Sequence, residues 1–264
     1  MTNNGKILVL IRYSIAAEFN KAGTDIFAPE YFDNRFENFK AIALKSLQEQ
    51  TDKDFKCFLY HSNAMPKNLK QKFFELEREN PFLRNIFQDG TEIRLPAGVA
   101  SNKDTVMTIR LDNDDGLPKN FIARHRTFCS PDLDGVFITV PSITSLKRTK
   151  KGFALKKRDY ISNSMGLAFI CKEGGVKNVF DTRDHDIVRF SAPLLKLPGI
   201  GGLQIINGSN VFNHISVDLV GGGKWRKISP EKLFDALCDF GYPEFDFGFM
   251  RVVKKKSWWN ILGS

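Results

Sequence analysis

Three carboxylates and one amide occupy four consecutive positions, Asp112, Asn113, Asp114 and Asp115. On a single turn the carboxylates repel one another unless a cation or a set of backbone donors compensates their charge. Mg²⁺ or Mn²⁺ prefers oxygen ligands, takes one or two of them from protein carboxylates, and keeps positions for water and substrate phosphates. The cluster therefore fits a metal-bound diphosphate. It fits equally well a solvated turn in which Asp115 caps the following helix.

Other motifs for phosphate, calcium or acyl chemistry have no match in the chain. An EF-hand loop is excluded, because with Asp112 at its first position the glycine comes one residue early and the last position falls on Ala123. The chain has no Walker A sequence, no Gly-x-Gly-x-x-Gly after a strand and no Gly-x-Ser-x-Gly turn. The Asp cluster is thus the strongest chemical signal.

Strand patterns lead into the cluster and surround it. Residues 7–11 form a continuous apolar run, typical of a strand buried on both faces, and Arg12 stands at its C-terminal end. Residues 105–111 predict a strand that runs directly into Asp112. Shorter strands are expected at residues 55–60, 91–94, 135–140 and 167–171, and glycine-rich turns at 199–202 and 221–223.

Helix patterns separate the first strands. Residues 31–49 and 66–79 place apolar side chains at three- and four-residue spacings, and Pro118 is expected to open a further helix. The β-α-β-α order implies a parallel sheet, whose ligands bind at the C-terminal ends of the strands. We therefore expect one α/β domain with a mixed, mainly parallel sheet flanked by helices.

Three stretches of the first half carry a family resemblance. They are Arg35-Phe-Glu-Asn-Phe, Leu44-Lys-Ser-Leu-Gln-Glu-Gln-Thr-Asp-Lys-Asp-Phe and Thr108-Ile-Arg-Leu-Asp-Asn-Asp-Asp-Gly-Leu. Together they closely resemble the bacterial rhamnosyltransferase family, whose members are relatives of family 2 glycosyltransferases. In those enzymes the second stretch leads from a helix to a strand, and the Asp-rich turn matches their Asp-x-Asp motif. The likeness is strong over residues 6–125 and weak beyond.

The resemblance implies a GT-A (Rossmann-like) fold and a metal-dependent glycosyltransferase. Such an enzyme moves a sugar, with rhamnose as one option, from a nucleoside-diphosphate donor to a glycan or lipid-linked acceptor. Mn²⁺ or Mg²⁺ is the implied cofactor. Residues 1–264 would then form a single GT-A-like domain, with a nucleotide-sugar-binding half over residues 1–117. Residues 118–264 would form an acceptor-side half with a basic C-terminal tail.

The resemblance also implies metal ligands, carried over residue by residue. Asp114 would be the principal ligand, with Asp112 nearest the ribose or first phosphate and Asp115 assisting. GT-A metal sites often receive one more ligand from a histidine late in the chain. His185 is the candidate and His214 its rival, although a histidine in a polar turn is more often solvated.

Donor-binding residues follow in the same way. Arg12 would face the nucleotide, and the matched stretches assign Arg35, Arg110, Asp112 and Asn113 to donor binding. Family members usually carry an acidic residue after the second strand that touches the base. This chain has histidine, serine and asparagine at positions 61–63, so the base is not predicted.

An inverting transfer needs a carboxylate that takes the proton of the acceptor hydroxyl. Asp181, Asp184 and Asp186 are the candidates, each also interpretable as a surface charge. We expect inversion, but a retaining mechanism would not require this base, so the stereochemistry stays open.

Basic residues give the chain a net charge of +9, which favours polyanionic partners. Residues 147–151 and 156–158 fit a cationic loop that closes over phosphates, or a solvated face. Residues 254–262 combine lysines with Trp258 and Trp259, a pattern suited to an anionic bilayer surface or to packing on the domain.

The compartment is expected to be the cytoplasm, with peripheral contact at the inner membrane through this basic C-terminus. Four scattered cysteines without a CxxC pair suggest neither a disulfide framework nor a zinc site. No apolar stretch reaches the roughly twenty residues that a membrane span requires.

Two other classes of function remain as alternatives. A nucleotidyltransferase acting on sugar phosphates would also use Asp and Mg²⁺, but it would want a glycine-rich phosphate loop after the first strand, where no glycine follows Arg12 closely. A basic protein that binds nucleic acid or another polyanion would explain the charge. No helix-turn-helix, zinc-finger or aromatic RNA-binding pattern is evident, so nucleic acid is not an expected partner.

Overall fold

A computed structural model describes residues 5–15, 25–149, 152–159, 164–181, 193–206, 224–238, 240, 245–246 and 251–252. Four predicted site residues lie outside these ranges: Asp184, His185, Asp186 and His214. Residues 221–223 and the tryptophan-containing tail also lie outside them.

The described helices are α1 Pro29–Phe39, α2 Lys45–Gln48, α3 Lys67–Glu79, α4 Phe121–Arg126 and α5 Pro230–Cys238. A π-helical segment, Lys40–Leu44, joins α1 to α2, and Pro131–Leu133 forms a 3-10 turn. Among the described helices, none has both the length and the apolar character needed to cross a bilayer.

The described strands are β1 Lys6–Ser14, β2 Lys56–Ser62, β3 Leu83–Gln88, β4 Val106–Arg110, β5 Asp115–Gly116, β6 Phe137–Thr139, β7 Ser142–Thr149, β8 Gly152–Asp159, β9 Ala168–Cys171, β10 Leu194–Lys196, β11 Ile200–Ile206, β12 Arg226–Ile228, β13 Phe245–Asp246 and β14 Arg251–Val252. The last two form a short antiparallel pair of their own.

The first sheet has seven strands in the order β10-β6-β9-β4-β1-β2-β3. Strand β1 pairs in parallel with both β2 and β4, and β2 pairs in parallel with β3. Strand β9 runs antiparallel between β4 and β6. The predicted α/β fold with a mixed, mainly parallel sheet is confirmed.

The apolar run of β1 is buried on both faces, as its pattern predicts. Ile7, Val9 and Ile11 pack into the core cluster that holds the inner faces of α1 and α3. Leu8 and Leu10 face the opposite cluster, which is closed by Ile93, Val179 and their neighbours. A strand with neither face in water carries no polar alternation, which explains the continuous run.

The long helix expected at residues 31–49 is confirmed as one continuous helical path from α1 to α2, with a π-helical turn inside it. The extra residue of that turn changes which face each side chain presents. Ala43 and Leu44 remain in the core of the first sheet, whereas Ile42 joins a different cluster with Leu146 and Leu203. This helix therefore contacts both sheets.

The strand expected at residues 91–94 is wrong, since the third strand is β3, which pairs with β2 from Cys57↔Leu83 onward. Strand β3 lies at the edge of the sheet, where one side is open and polar residues such as Arg84 and Asn85 are tolerated. Ile93 is buried instead as part of an irregular segment over the second face.

The second sheet has five strands in the order β12-β8-β7-β11-β5. Of the two alternatives for residues 147–151 and 156–158, the loop is wrong over the described part, because these residues lie on the β7–β8 hairpin. Its alternate side chains include the apolar Leu146 and Leu155, which anchor it on the cluster shared with α5. A loop would leave these apolar residues in water.

Residues 200–202 belong to strand β11, not to the glycine-rich turn predicted there. A Cβ on Gly202 would stand 1.8 Å from the sulfur of Met165, and one on Gly201 would stand 2.2 Å from the carbonyl oxygen of Val140. The glycines allow β11 to approach its neighbours closely. This approach lets β5, directly after Asp114, pair with β11.

Strands from both predicted halves of the chain share these sheets. Strands β6, β9 and β10 extend the first sheet, while β5 belongs to the second. The boundary at residue 117 stays a prediction about function.

Candidate active site

The Asp-rich turn is held at the end of β4 by backbone hydrogen bonds to two different segments. The Leu111 N–H donates to the Leu10 carbonyl at 3.1 Å, and the Arg110 N–H donates to the Leu167 carbonyl at 2.8 Å. Within the turn, the Asp115 N–H donates to the Asp112 carbonyl at 3.2 Å. The turn thus lies at the C-terminal edge of the sheet, where α/β proteins bind ligands.

The chain after the turn is clamped by Gln50, a residue of the family-like stretch. Gln50 Nε2 donates to the Pro118 carbonyl at 2.8 Å, and Gln50 Oε1 accepts from the Ile122 N–H at 2.9 Å. Helix α4 consequently begins at Phe121, three residues later than predicted from Pro118. The side chain of Gln50 takes the place of a helix cap, because Ile122 lies in the first turn.

A second clamp joins Arg126 at the end of α4 to Asp52. The guanidinium Nη2 donates to Asp52 Oδ1 at 3.2 Å, and Nε donates to Oδ2. Partial burial works against the charged carboxylate, but the Arg126 hydrogen bonds prevail and lower the pKa of Asp52. Gln50 and Asp52 of the family-like stretch thus hold helix α4, which follows the Asp-rich turn and is distant from them in sequence.

The three carboxylates of the turn differ in exposure, and their negative charges repel one another. Asp112 is one-third exposed, Asp114 is half-buried and Asp115 is buried. Burial and the neighbouring Asp112 charge raise the pKa of Asp114 to about 6, against the opposing effect of Arg35. Burial, Asp114 and Asp112 raise the pKa of Asp115 well above its ordinary value, against the opposing effect of Arg110 and Arg158.

These charges suit a cation supplied from outside the chain. Across the described residues, no group of three or more His, Cys, Asp or Glu side chains is placed to hold a metal ion. Two carboxylates, Asp112 and Asp114, are nevertheless a sufficient protein contribution for Mg²⁺ or Mn²⁺ when phosphates and water complete the shell. The donor set therefore fits the metal, and the role of each ligand stays a prediction.

Arg35 reaches the turn from helix α1. Its Nη2 donates to Asn113 Oδ1 at 3.0 Å, and its guanidinium carbon lies 4.9 Å from the centre of the Tyr13 ring. Two of the predicted donor-binding residues, Arg35 and Asn113, are therefore in contact. Tyr13 is fully buried, so Arg35 packs against an aromatic ring that is itself fixed in the core.

Arg12 and Arg110 share a second aromatic ring, that of Phe180. Their guanidinium carbons lie 4.9 Å and 5.3 Å from its centre, and Arg110 also contacts Asp112 at 3.4 Å. The register Leu10↔Arg110 places both arginines on the same face of neighbouring parallel strands. Two cations are thus held close together beside the Asp turn.

Phe180 was missed by sequence reasoning because its role arises from contacts with distant strands. The segment that carries it is fixed by Asn178, whose Nδ2 donates to the Ile93 carbonyl at 2.9 Å and whose Oδ1 accepts from the Phe180 N–H at 2.9 Å. The Val179 N–H donates to Thr108 Oγ1 at 2.9 Å. The only sequence signal was the apolar pair Val179 and Phe180 directly before Asp181.

Asp181 is the one predicted base within the described residues. Its Oδ2 accepts from the Asn178 N–H at 2.7 Å, and its Oδ1 from Asn178 Nδ2 at 3.3 Å. The carboxylate thus closes the turn that presents Phe180, and its side chain is exposed. Its assignment as a base stays a prediction, together with Asp184 and Asp186.

His61 occupies the end of β2, where the family resemblance leads to an acidic residue, and it is completely buried. Asn85 donates through Nδ2 to the Phe73 carbonyl and to Glu77, so its Oδ1 accepts from His61 Nε2 at 3.0 Å. Ser14 Oγ lies 3.4 Å from the other ring nitrogen. Burial lowers the pKa of His61 from 6.5 to about 3, so the imidazole is neutral.

The neutral His61 predicts an acid-sensitive fold. Below pH 6.5 the unfolded chain binds a proton at His61, whereas the folded chain does not. The free energy of unfolding is therefore highest above pH 6.5 and decreases as the pH falls towards 3. Between pH 7 and pH 5 the free energy of unfolding of the wild type should fall by about 2 kcal/mol relative to His61→Gln, which keeps a donor for Asn85. Urea unfolding at pH 7, 6 and 5 measures this difference, and parallel pH profiles of the two proteins would contradict it.

Taken together, fold and site define an α/β protein whose mainly parallel sheet carries an Asp-rich turn beside three arginines at the ligand-binding edge. The model of the family described as "Putative rhamnosyl transferase" matches residues 7–215. The chain belongs to this family, which confirms the resemblance of its first half. The match also continues well past residue 125, where the likeness was expected to be weak. No curated protein sequence matches the chain.

Several solved structures are distantly similar. S. aureus TarS 1-349 in complex with UDP-GlcNAc is 11% identical over 90% of this chain and 66% of that chain, with a TM-score of 0.46. The mannosyltransferase PcManGT from Pyrobaculum calidifontis, in complex with GDP-Man and Mn²⁺, is 13% identical over 76% and 56%, with a TM-score of 0.36. GlyE from Streptococcus pneumoniae TIGR4 is 14% identical over 74% and 45%, with a TM-score of 0.34. The chain therefore spans two thirds or less of the length of these proteins.

Proposed function

We propose that the protein is a metal-dependent glycosyltransferase that moves a sugar from a nucleoside-diphosphate donor to a glycan or lipid-linked acceptor. The proposal rests on one observation. In this member of the rhamnosyl transferase family, two groups of side chains with opposite charge lie together at one edge of the first sheet. One group is the carboxylate pair Asp112 and Asp114, and the other is the arginine pair Arg12 and Arg110.

The arginine pair is suited to a diphosphate. Guanidinium groups bind phosphate oxygens through paired N–H donors, and two of them on adjacent strands span more than one phosphate. Because Phe180 already holds both side chains, they lose little freedom when an anion binds. Arg12 and Arg110 are therefore proposed to receive the donor diphosphate.

Asp112 and Asp114 would hold Mn²⁺ or Mg²⁺, with Asp115 assisting. A bound metal supplies positive charge that neutralises the departing diphosphate. Arg35 acts from the other side, since it holds Asn113 and with it the orientation of the turn. His185 is proposed as a further ligand from the acceptor-side half.

The transfer itself breaks the bond between the anomeric carbon and the diphosphate oxygen and forms a bond to an acceptor hydroxyl oxygen. A carboxylate takes the hydroxyl proton, and Asp181, Asp184 and Asp186 are the proposed candidates, with inversion at the anomeric carbon. Rhamnose is the proposed sugar on the family description alone. A cytoplasmic enzyme with peripheral inner-membrane contact through its basic tail fits a lipid-linked acceptor.

Calorimetric titration of the wild type tests the donor site directly. UDP, GDP and dTDP are titrated in turn with Mn²⁺ present, and each titration is repeated with the metal chelated. We expect one nucleotide to bind with a strong metal requirement. If none of the three binds in a metal-dependent manner, the proposed function is wrong.

A further inference from the structure

The two sides of the second sheet differ in charge and in what covers them. One side of this sheet packs against the apolar cluster that includes Leu146 and Leu155. Because paired residues lie on the same side of a sheet, the strand registers place four cations together on the opposite side, here called the basic face. These cations are Lys147, Lys156, Arg158 and Lys227. Within the described strands of the sheet, Asp115 is the one carboxylate on the basic face, which therefore carries an excess of positive charge.

Three lysines of the basic face lie around one small residue. Lys147 and Lys227 are both register partners of Ala154, from the strands on either side of β8. The Lys147 side chain crosses β8, since its ammonium lies 4.0 Å from the centre of the Trp225 ring, directly before β12. A cation over an aromatic ring is held in position, unlike a lysine that extends into water. Lys156, two residues from Ala154, is only 5% exposed.

Arg158 is fixed on the same face by hydrogen bonds. Its Nη2 donates to Ser145 Oγ at 2.9 Å and also to Gln204 Oε1. Ser145 is fully buried, so these hydrogen bonds are shielded from water. The guanidinium is therefore held in one orientation before any ligand binds.

Two buried donors of the basic face have no acceptor in the part of the chain that the structure describes. They are Nε of Arg158 and Nε1 of Trp225. A buried N–H group without an acceptor is unfavourable, and most such groups in proteins are paired. Like charges on neighbouring strands are also unfavourable. A bound anion supplies the acceptors that these donors lack and reduces the repulsion among the cations.

A row of paired residues connects the basic face to the proposed donor site. The registers Asp115↔Gln204, Gln204↔Ser145 and Ser145↔Lys156 cross four neighbouring strands. Three strand spacings of about 4.8 Å separate Asp115 from Lys156, which is about 14 Å in total. Asp115 directly follows Asp114, the proposed principal metal ligand. One extended molecule can therefore reach both the donor site and the cations.

We propose that the basic face binds a phosphate group of the acceptor, so that the enzyme uses a phosphate-bearing glycan or glycolipid. This inference rests on the proposed function. Phosphate suits the face because its several oxygens can accept from a forked guanidinium, from ammonium groups and from an indole N–H at the same time. The strand spacing places this phosphate about 14 Å from the hydroxyl that receives the sugar. A neutral acceptor would leave the cations and both buried donors uncompensated.

Titration with inorganic phosphate, followed by ³¹P NMR, tests the basic face. A chelator is present and every protein of the series carries Arg12→Gln and Arg110→Gln, so that the donor site does not contribute. In this background, Lys147→Gln together with Lys227→Gln should weaken phosphate binding by about tenfold or more, because charge-assisted contacts are lost. Unchanged phosphate affinity would contradict the proposal. If the background does not fold, Arg110→Gln alone replaces it, and Lys227→Gln alone replaces a double variant that does not fold.

Lys157→Gln together with Arg226→Gln is the matched control. Both residues are exposed and lie on β8 and β12, but they share the opposite face with Leu155. This control removes the same number of positive charges from the same two-strand region. It should bind phosphate as the background protein does, and an equal loss in the control would mean that only net charge matters, which contradicts a site on the basic face.

Two further probes distinguish the sources of the phosphate. Glucose 1-phosphate should bind at least as tightly as inorganic phosphate, since the face must admit a sugar that carries the group. If inorganic phosphate binds and glucose 1-phosphate does not, the acceptor role is wrong. Vesicles of phosphatidylcholine and phosphatidylglycerol are tested by cosedimentation, and vesicle binding that needs Lys147 and Lys227, without any binding of glucose 1-phosphate, would assign the face to a bilayer and overturn the proposal.

Nucleotide binding separates this proposal from the proposed function. In the otherwise unchanged chain, Lys147→Gln together with Lys227→Gln should bind Mn²⁺ and nucleotide as the wild type does, because the basic face lies about 14 Å from the Asp-rich turn. A wild type that binds no metal–nucleotide pair contradicts the proposed function. A wild type that binds nucleotide, with phosphate binding insensitive to the two lysines, contradicts only the anion site.

Discussion

Replacing Asp114 with asparagine is expected to weaken metal-dependent nucleotide binding by about a hundredfold or more, because it removes the proposed principal oxygen ligand of a site with few protein ligands. The same change should leave the metal-free protein as stable as the wild type or more stable. Asp114 has a folded-state pKa raised to about 6, so above that pH its charge disfavours the folded state. Loss of binding with unchanged or higher stability is a result that general misfolding cannot produce.

The measurement combines calorimetry at pH 7.5 with thermal unfolding in the presence of a chelator. Asp235→Asn is the control, since Asp235 is an exposed carboxylate on α5. This control should match the wild type in both measurements. Undiminished binding by Asp114→Asn would remove Asp114 from the metal site, and a clearly lower melting temperature would mean that its charge stabilises the turn.

Truncation of Phe73 to alanine should produce the largest loss of stability, about 3 to 5 kcal/mol. Phe73 is completely buried, and its ring centre lies 4.3 Å from that of His61, 4.8 Å from Tyr13 and 5.2 Å from Phe36. These rings connect α3 to β1, β2 and α1. The cavity would remove contacts from all four elements, and a domain of this size has a total stability of only about 5 to 15 kcal/mol.

Phe74→Ala is the matched control, because the next residue of the same helix is 45% exposed. The same truncation there should cost less than about 1 kcal/mol, since its ring already faces water. Urea unfolding of the two variants and the wild type measures both effects. Similar losses for Phe73 and Phe74 would mean that the aromatic cluster does not support the first sheet.

Several elements could be predicted from the sequence because their surroundings leave a periodic pattern. The run at residues 7–11 is apolar throughout since β1 has neighbours on both faces, and α3 shows the helical period since one side faces water. The Asp turn could be recognised in the sequence because its acidic residues are nearly consecutive along the chain. Within the stretch at residues 44–55 that carries the resemblance, Gln50 and Asp52 make the two clamps on α4.

Other elements were misread because their patterns are weak or ambiguous. Strand β3 lies at an edge and carries polar residues, so the more apolar-looking segment near Ile93 was preferred. Gly201 and Gly202 resemble a turn in sequence, whereas their lack of a Cβ serves the close approach of β11. A residue type restricts the local backbone conformation, but more than one local structure is often compatible with it.

The amino-acid sequence by itself determined the class of fold, the strand that ends in the Asp cluster and the family of the chain, because burial, period and charge act on consecutive residues. Only the tertiary structure decided which distant groups meet the cluster. Phe180 holds Arg12 and Arg110 beside it, and Arg35 reaches Asn113 from helix α1. Such contacts depend on strand order and register, which are set by the energy of the whole packed chain and leave no trace in the spacing of neighbouring residues.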